Sequence, residues 1–216
     1  MPKTLLNATN IAHTFEYPLF SKINFNLNEQ ESIAIVGRSG SGKSTLLHIF
    51  SSFIKPDEGQ VELMNHENLY ALKENDIETI RRYDLGIIFQ AHYLFKGMKA
   101  IENLEIATLL ANEEIDDELL EKLEIKELME QKIGELSGGQ QQRISIARVL
   151  SKKPKIIFAD EPTGNLDKET ARLVMNVLLE YIKSNNSALL LVTHDEEMAG
   201  LCDKTFRLEN QSLKEF

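Results

Sequence analysis

No stretch constrains this chain more than Val36-Gly37-Arg38-Ser39-Gly40-Ser41-Gly42-Lys43-Ser44-Thr45. Ahead of it runs Ile33-Ala34-Ile35-Val36, an apolar run that reads as a buried strand. Behind it come Leu46, Leu47, Ile49 and Phe50, at the spacing of an amphipathic helix. A strand passing through a glycine-rich loop into a helix is the setting of a phosphate-binding loop. Gly37, Gly40 and Gly42 carry no Cβ, so the backbone is free to curl and aim successive N–H groups at one anion. The helix starting at Lys43 adds the positive end of its dipole to the same point. In such a loop Lys43 reaches the β- and γ-phosphates, the Ser44 hydroxyl sits on Mg²⁺, and Thr45 lies near the α-phosphate. The bland alternative, a merely flexible turn, fits the flanking strand and helix poorly.

Bulk properties narrow the setting. A chain of 216 residues, 42% hydrophobic and 27% charged, suits one α/β domain, with or without an inserted subdomain. Its net charge of −10 disfavours a nucleic-acid groove, which needs a basic stripe, so no nucleic-acid partner is expected. Cys202 is the sole cysteine and has no internal disulfide partner, which fits a reducing cytosol. The start Met1-Pro2-Lys3-Thr4 has no long apolar segment behind it and does not read as a signal peptide. No run approaches the length of a membrane span, so a role at a membrane would be peripheral.

Residues 4–15 and 23–27 read as strands, and Glu29-Gln30-Glu31 as the turn into the loop strand. Pro56-Asp57-Glu58-Gly59 is a turn by composition, ahead of a strand over 60–64. A polar helix is expected over 74–83, then an apolar strand over 85–89 ending at Gln90. Between 91 and 135 strand-like alternation almost vanishes, and Ile101, Leu104, Ala107 and Thr108, then Leu119, Leu120 and Leu123, fall at helical spacing. This predicts an insert of two or three helices whose dense charge is a solvated face. A helix from Gly138 to about 151, a buried strand over 156–159, a long helix to about 184, a strand over 188–192, a short helix and a hairpin around Glu209-Asn210 complete the chain. Strands alternating with helices imply a parallel sheet covered on both faces.

Two further stretches carry chemistry. Asp160 and Glu161 close the strand Ile156-Ile157-Phe158-Ala159, at the strand end where open parallel sheets bind ligands. On an extended segment the two carboxylates point apart and suit two tasks: Asp160 to hold Mg²⁺, Glu161 to deprotonate an attacking water. The competing reading is an acidic start to a helix near Asn165. Leu136-Ser137-Gly138-Gly139-Gln140 is a second small-residue entry to a helix, and so a second anion site. An ordinary N-cap explains Ser137, but not both glycines followed by Gln140-Gln141-Gln142-Arg143.

In order, the glycine loop, Gln90, L-S-G-G-Q, I-I-F-A-D-E, Asn165-Leu166-Asp167 and His194 resemble the nucleotide-binding domain of ABC ATPases, over about residues 4–209. The resemblance implies an α/β P-loop fold: a mostly parallel central sheet, an N-terminal antiparallel β subdomain, and a helical subdomain (91–135) set into a core of 1–90 and 136–216. It implies ATP and Mg²⁺ as ligands and two copies paired head to tail. Each ATP then lies between one copy's loop and the other's Ser137, Gly138, Gly139 and Gln140, with Asp167 bridging the two sites. Gln90 would meet Mg²⁺ or the lytic water, and His194 the γ-phosphate and Glu161. Phe15 is the candidate for stacking on adenine and Tyr17 its rival, although aromatics there suit a core equally well. His13, His48, His66 and His92 read as incidental.

Arg82 with Leu85-Gly86-Ile87-Ile88-Phe89-Gln90, Glu102-Asn103, and Glu161 to Asp167 as E-P-T-G-N-L-D are similar to one bacterial group. It holds the lipoprotein-releasing, macrolide-exporting and cell-division ATPases. Membership implies a hydrolytic subunit on the cytoplasmic face of the membrane, driving a separate permease through its insert. The alternative, as in the cell-division relative, is a mechanical regulator whose membrane partner moves no substrate. Gly97-Met98-Lys99-Ala100 and Glu209-Asn210-Gln211 depart from the group's usual turns.

Overall fold

Pairing on both sides makes β1 (Thr4–Thr14) the middle strand of a three-stranded antiparallel sheet. Its neighbours are β2 (Pro18–Asn28) and β4 (Glu58–Leu63). The structure is a computed structural model that describes residues 3–216; Met1 and Pro2, and the leader reading that begins on them, lie outside it. β2 starts five residues before the alternating run 23–27, because pairing with β1 carries extended backbone back to Pro18.

The larger sheet holds six strands in the order β5-β6-β7-β3-β8-β9. These are β3 (Ser32–Val36), β5 (Leu85–Ile88), β6 (Ile156–Asp160), β7 (Ala188–Thr193), β8 (Lys204–Glu209) and β9 (Ser212–Glu215). All pairings are parallel except that of the β8–β9 hairpin. The helices are α1 (Lys43–Phe50), α2 (Glu74–Tyr83), α3 (Ala100–Ala111), α4 (Asp117–Lys122), α5 (Gly138–Leu150), α6 (Lys168–Ser184) and α7 (Glu196–Ala199). The α/β fold with a mostly parallel sheet and an N-terminal antiparallel sheet is therefore present. α6 begins three residues after Asn165, with Asp167 as its N-cap.

Period-two alternation divides the core between the faces of the large sheet. Ala34, Val36, Ile157, Ala159, Leu189 and Leu191 join a cluster with α5 and α6. Ile33, Ile35, Ile156, Phe158, Leu190 and Val192 face the other way, onto α1 and the antiparallel sheet. Each fully buried side chain of this size contributes roughly 1.5–3 kcal/mol. Close packing on both faces of the sheet supports its central strands, whose ends carry the chemistry. Parallel register sets Val36 beside Thr193, Asp160 beside Val192 and Ile88 beside Ala159, so β3, β5, β6 and β7 end side by side, within two residues of one level.

Within 91–135, α3 and α4 are linked by short turns, and Leu104, Leu119, Leu120 and Leu123 are buried in the α5–α6 cluster. The acidic run is solvated as expected, but it is also knit by ion pairs. Lys122 joins Glu118 and Glu180 at 2.8 and 2.6 Å, and Lys126 joins Asp117 and Glu121 at 3.0 and 2.7 Å.

Candidate functional site

The glycine loop runs from the end of β3 to the start of α1. Gly40 and Gly42 have φ of 77° and 98°, a left-handed backbone that side chains resist. Gly37 is needed for space, since a Cβ there would lie 2.7 Å from the Leu208 carbonyl oxygen. Gly42 is the N-cap of α1 and offers no side chain, and the first turn of the helix holds no acid. The leading N–H groups of α1 are therefore left for an external anion. Lys43 is buried, and its Nζ donates to the Arg38 carbonyl at 3.1 Å, folding the side chain over the loop. The Ser41 hydroxyl is buried without a partner, a donor facing an unfilled need. Arg38, Ser39 and Ser44 are exposed and Thr45 half-buried.

Across the strand ends, the Ser44 hydroxyl donates to Asp160 Oδ1 at 3.0 Å. Burial pushes the Asp160 carboxyl up in pKa, and the Ser44 hydrogen bond partly offsets it. Glu161 differs from the extended pair expected of it: its φ is 49°, while its N–H donates to the Val192 carbonyl of β7 at 2.8 Å. This turn, rather than alternation along a strand, separates the two carboxylates. Glu161 Oε1 lies 2.8 Å from His194 Nδ1, and Oε2 accepts from the Thr193 hydroxyl at 3.1 Å. Its side chain is 13% exposed against 70% for His194, so the carboxylate is fixed from within while the imidazole faces outward.

Thr193 is a residue that sequence reasoning missed. Fully buried, its oxygen also accepts from the Asp195 N–H at 3.0 Å, tying the β7 end to the turn that carries His194. The signal was available, since a hydroxyl one residue before a candidate histidine at a strand end is placed to bond whatever the histidine bonds. Replacing Thr193 with valine keeps the shape but strands the Asp195 N–H. Chemical denaturation is expected to show a loss of about 1–3 kcal/mol. Arg207 also lines a cleft with Gly37, Arg38, Ser41 and His194, brought there by the pairing of β8 with β3, and its guanidinium donates to Glu196 Oε1 at 2.7 Å.

Ser137 caps α5. Its hydroxyl accepts from the Gln140 N–H at 3.3 Å, and Gln140 Oε1 accepts from the Ser137 N–H at 2.9 Å. The ordinary cap is thus present, and the Gly138 and Gly139 N–H groups lie outside it. Asp167 caps α6, accepting from the backbone of Glu169 and Thr170 and from the Thr170 hydroxyl, and those bonds hold its carboxyl below the usual range. Gln90 is exposed in the bend after β5. Phe15 and Tyr17 are 60% and 61% exposed, so neither is a core residue.

This geometry has counterparts. The family model described as ABC transporter matches residues 20–164. The lipoprotein-releasing system ATP-binding protein LolD of Rickettsia bellii is 45% identical over 197 residues, covering 88% of this chain and 86% of its own. LolD of Treponema denticola is 36% identical over the whole of both chains. Among solved structures, the ATP-binding cassette MJ0796, dimeric in a post-hydrolysis state with ADP and Pi, superposes with a TM-score of 0.88 at 30% identity. That likeness covers 98% of each chain. A phosphate loop alone occurs in many folds, but here the likeness extends from the second strand past the Glu161 turn and, in one relative, from end to end: the chain belongs to the ABC transporter family, as an ATP-binding and ATP-hydrolysing subunit.

Proposed function

We propose that this chain drives a lipoprotein-release type of membrane complex, acting as a head-to-tail dimer whose two composite sites hydrolyse ATP. The observation that carries the reading is the meeting of Ser44 with Asp160 and of Glu161 with His194 at strand ends set side by side by register. The relatives named LolD supply the type of complex.

In this reading the residues of 37–45 and Lys43 bind the phosphates and Phe15 stacks on the adenine. Ser44 and Asp160, hard oxygen donors in contact, fit Mg²⁺, with Gln90 reaching it when nucleotide is bound. The ion would screen phosphate charge. Glu161 takes a proton from water, with Thr193 fixing one carboxylate oxygen and His194 the other. Ser137, Gly138, Gly139 and Gln140 of a second copy close the site, and Asp167 spans the dimer.

The 91–135 region would serve as the permease-facing insert, on the cytoplasmic side of the membrane. No helix among the described residues is long and apolar enough to cross one. Between α2, α3 and α5 lies an apolar groove with Phe53, Phe89, Phe95 and Leu110 on its walls. Arg81, Arg82, Arg148 and Lys152 also line it, against a single acid, Glu78. Burial pulls the Lys152 pKa down to about 8, and its Nζ donates to the Arg81 and Leu85 carbonyls at 2.9 and 3.0 Å. The groove suits an amphipathic helix with acidic residues from the permease, and most of its lining comes from outside the insert.

Affinity capture from detergent-solubilised membranes tests this. A permease with a large extracytoplasmic domain should co-purify, and its reconstitution with the ATPase should release an acylated protein from vesicles when ATP is added. Leu110→Asp, half exposed on α3, should reduce capture at least tenfold while the ATPase rate of the isolated subunit stays within twofold. Capture unaffected by Leu110→Asp would remove the groove from the reading. ATP turnover without release would remove the lipoprotein assignment.

A further inference from the structure

His13 is the one histidine of the antiparallel sheet, and its ring is buried at the end of β1 with neither nitrogen hydrogen-bonded. Burying an imidazole without a hydrogen bond is costly, even with the Asp57 carboxylate nearby, and a plain apolar residue would fill the same space without that cost. Its ring meets the ring of Phe15 edge to face, with centroids 4.8 Å apart and planes at 86°. Phe15 itself is mostly exposed. An exposed phenylalanine ring rotates freely about its side-chain torsions unless something holds it, and freezing it at the moment of binding costs affinity. Tyr17, two residues on and equally exposed, has no such ring against it.

The support is itself anchored. Asp57 Oδ2 accepts from the Thr14 N–H at 2.7 Å and lies 3.5 Å from His13 Nδ1. The Asp57 N–H donates to the Ala12 carbonyl at 3.0 Å. The turn before β4 therefore grips the backbone on both sides of His13. We infer that His13 is a positioning residue for adenine recognition, presenting the Phe15 ring in a fixed orientation before nucleotide arrives. This rests on the reading of Phe15 as the adenine platform.

The experiment compares ADP with pyrophosphate, which share a diphosphate but not the base, by titration calorimetry. A contact between aromatic rings is worth about 0.5–1.5 kcal/mol, so His13→Ala should weaken ADP binding roughly threefold to tenfold. Pyrophosphate affinity should stay within twofold, and His13→Phe should restore ADP binding. Phe15→Leu should weaken ADP at least as much as His13→Ala. Equal weakening of ADP and pyrophosphate by His13→Ala would make His13 a general structural residue and overturn the inference. Loss of ADP affinity with Phe15→Leu but not with His13→Ala would overturn it while leaving the platform in place. Unchanged ADP binding in Phe15→Leu would overturn the platform reading, and the role of His13 with it.

Discussion

Replacing Glu161 with glutamine is expected to lower the rate of phosphate release by about 10²–10⁴, the usual contribution of a positioned general base. Nucleotide binding should survive. Glutamine has the same shape, its oxygen still accepts from the Thr193 hydroxyl, and the left-handed turn at φ 49° is held by the backbone bond to Val192. What the variant lacks is a site to take the proton. With binding intact and hydrolysis stopped, ATP should hold two copies together, visible as a shift to twice the mass in gel filtration that ADP does not produce. His194→Ala should cost less than Glu161→Gln, because the imidazole fixes only one of the two carboxylate oxygens and is itself largely exposed. Turnover within threefold of the parent in Glu161→Gln would mean that another group activates the water.

The parts legible from sequence were those governed by local chemistry. Helix α2 occupies residues 74–83 as its pattern indicates, with acids in its first turn and arginines in its last. Helix α1 starts at Lys43, right after the left-handed Gly42 that ends the loop, as the glycine pattern indicates. What stayed hidden depends on contacts between distant segments. Glu161 looks like the next residue of a strand, yet β6 ends at Asp160 and a bond to β7 turns the chain. Arg207 shares a cleft with the loop only because β8 lies beside β3, a pairing of residues far apart in sequence. The buried state of His13 follows from three-strand pairing and could not be told from a surface histidine in a polar run. The exposure of Phe15 and Tyr17 was equally set by their place in the bend between β1 and β2, and it removes the core reading that sequence left open.

Gly138 offers the most decisive test of a site shared between two copies. A Cβ at Gly138 would meet nothing within 4 Å, whereas one at Gly139 would press on a Leu166 methyl at 3.3 Å. Gly138→Asp should therefore leave the fold and its melting temperature essentially unchanged. It adds a negative charge where the proposed partner nucleotide presents its γ-phosphate, at a helix start that otherwise attracts anions. ATPase activity should fall at least a hundredfold while ADP affinity, set by the chain's own loop, stays within twofold. Lys43→Ala should fail by the opposite route, losing nucleotide at its own loop but keeping an intact Ser137–Gly139 wall. Neither variant works alone, yet a mixed dimer holds one sound site, built from the loop of the Gly138→Asp copy and the wall of the Lys43→Ala copy. With random pairing, half the dimers are mixed and half their sites are sound, so an equimolar mixture should recover roughly a quarter of the parent activity. Recovery also has to vanish on dilution, since it depends on dimers forming. A mixture as inactive as its components, or a Gly138→Asp chain that hydrolyses ATP normally, would show that each chain completes its own site, and the head-to-tail arrangement would have to be abandoned.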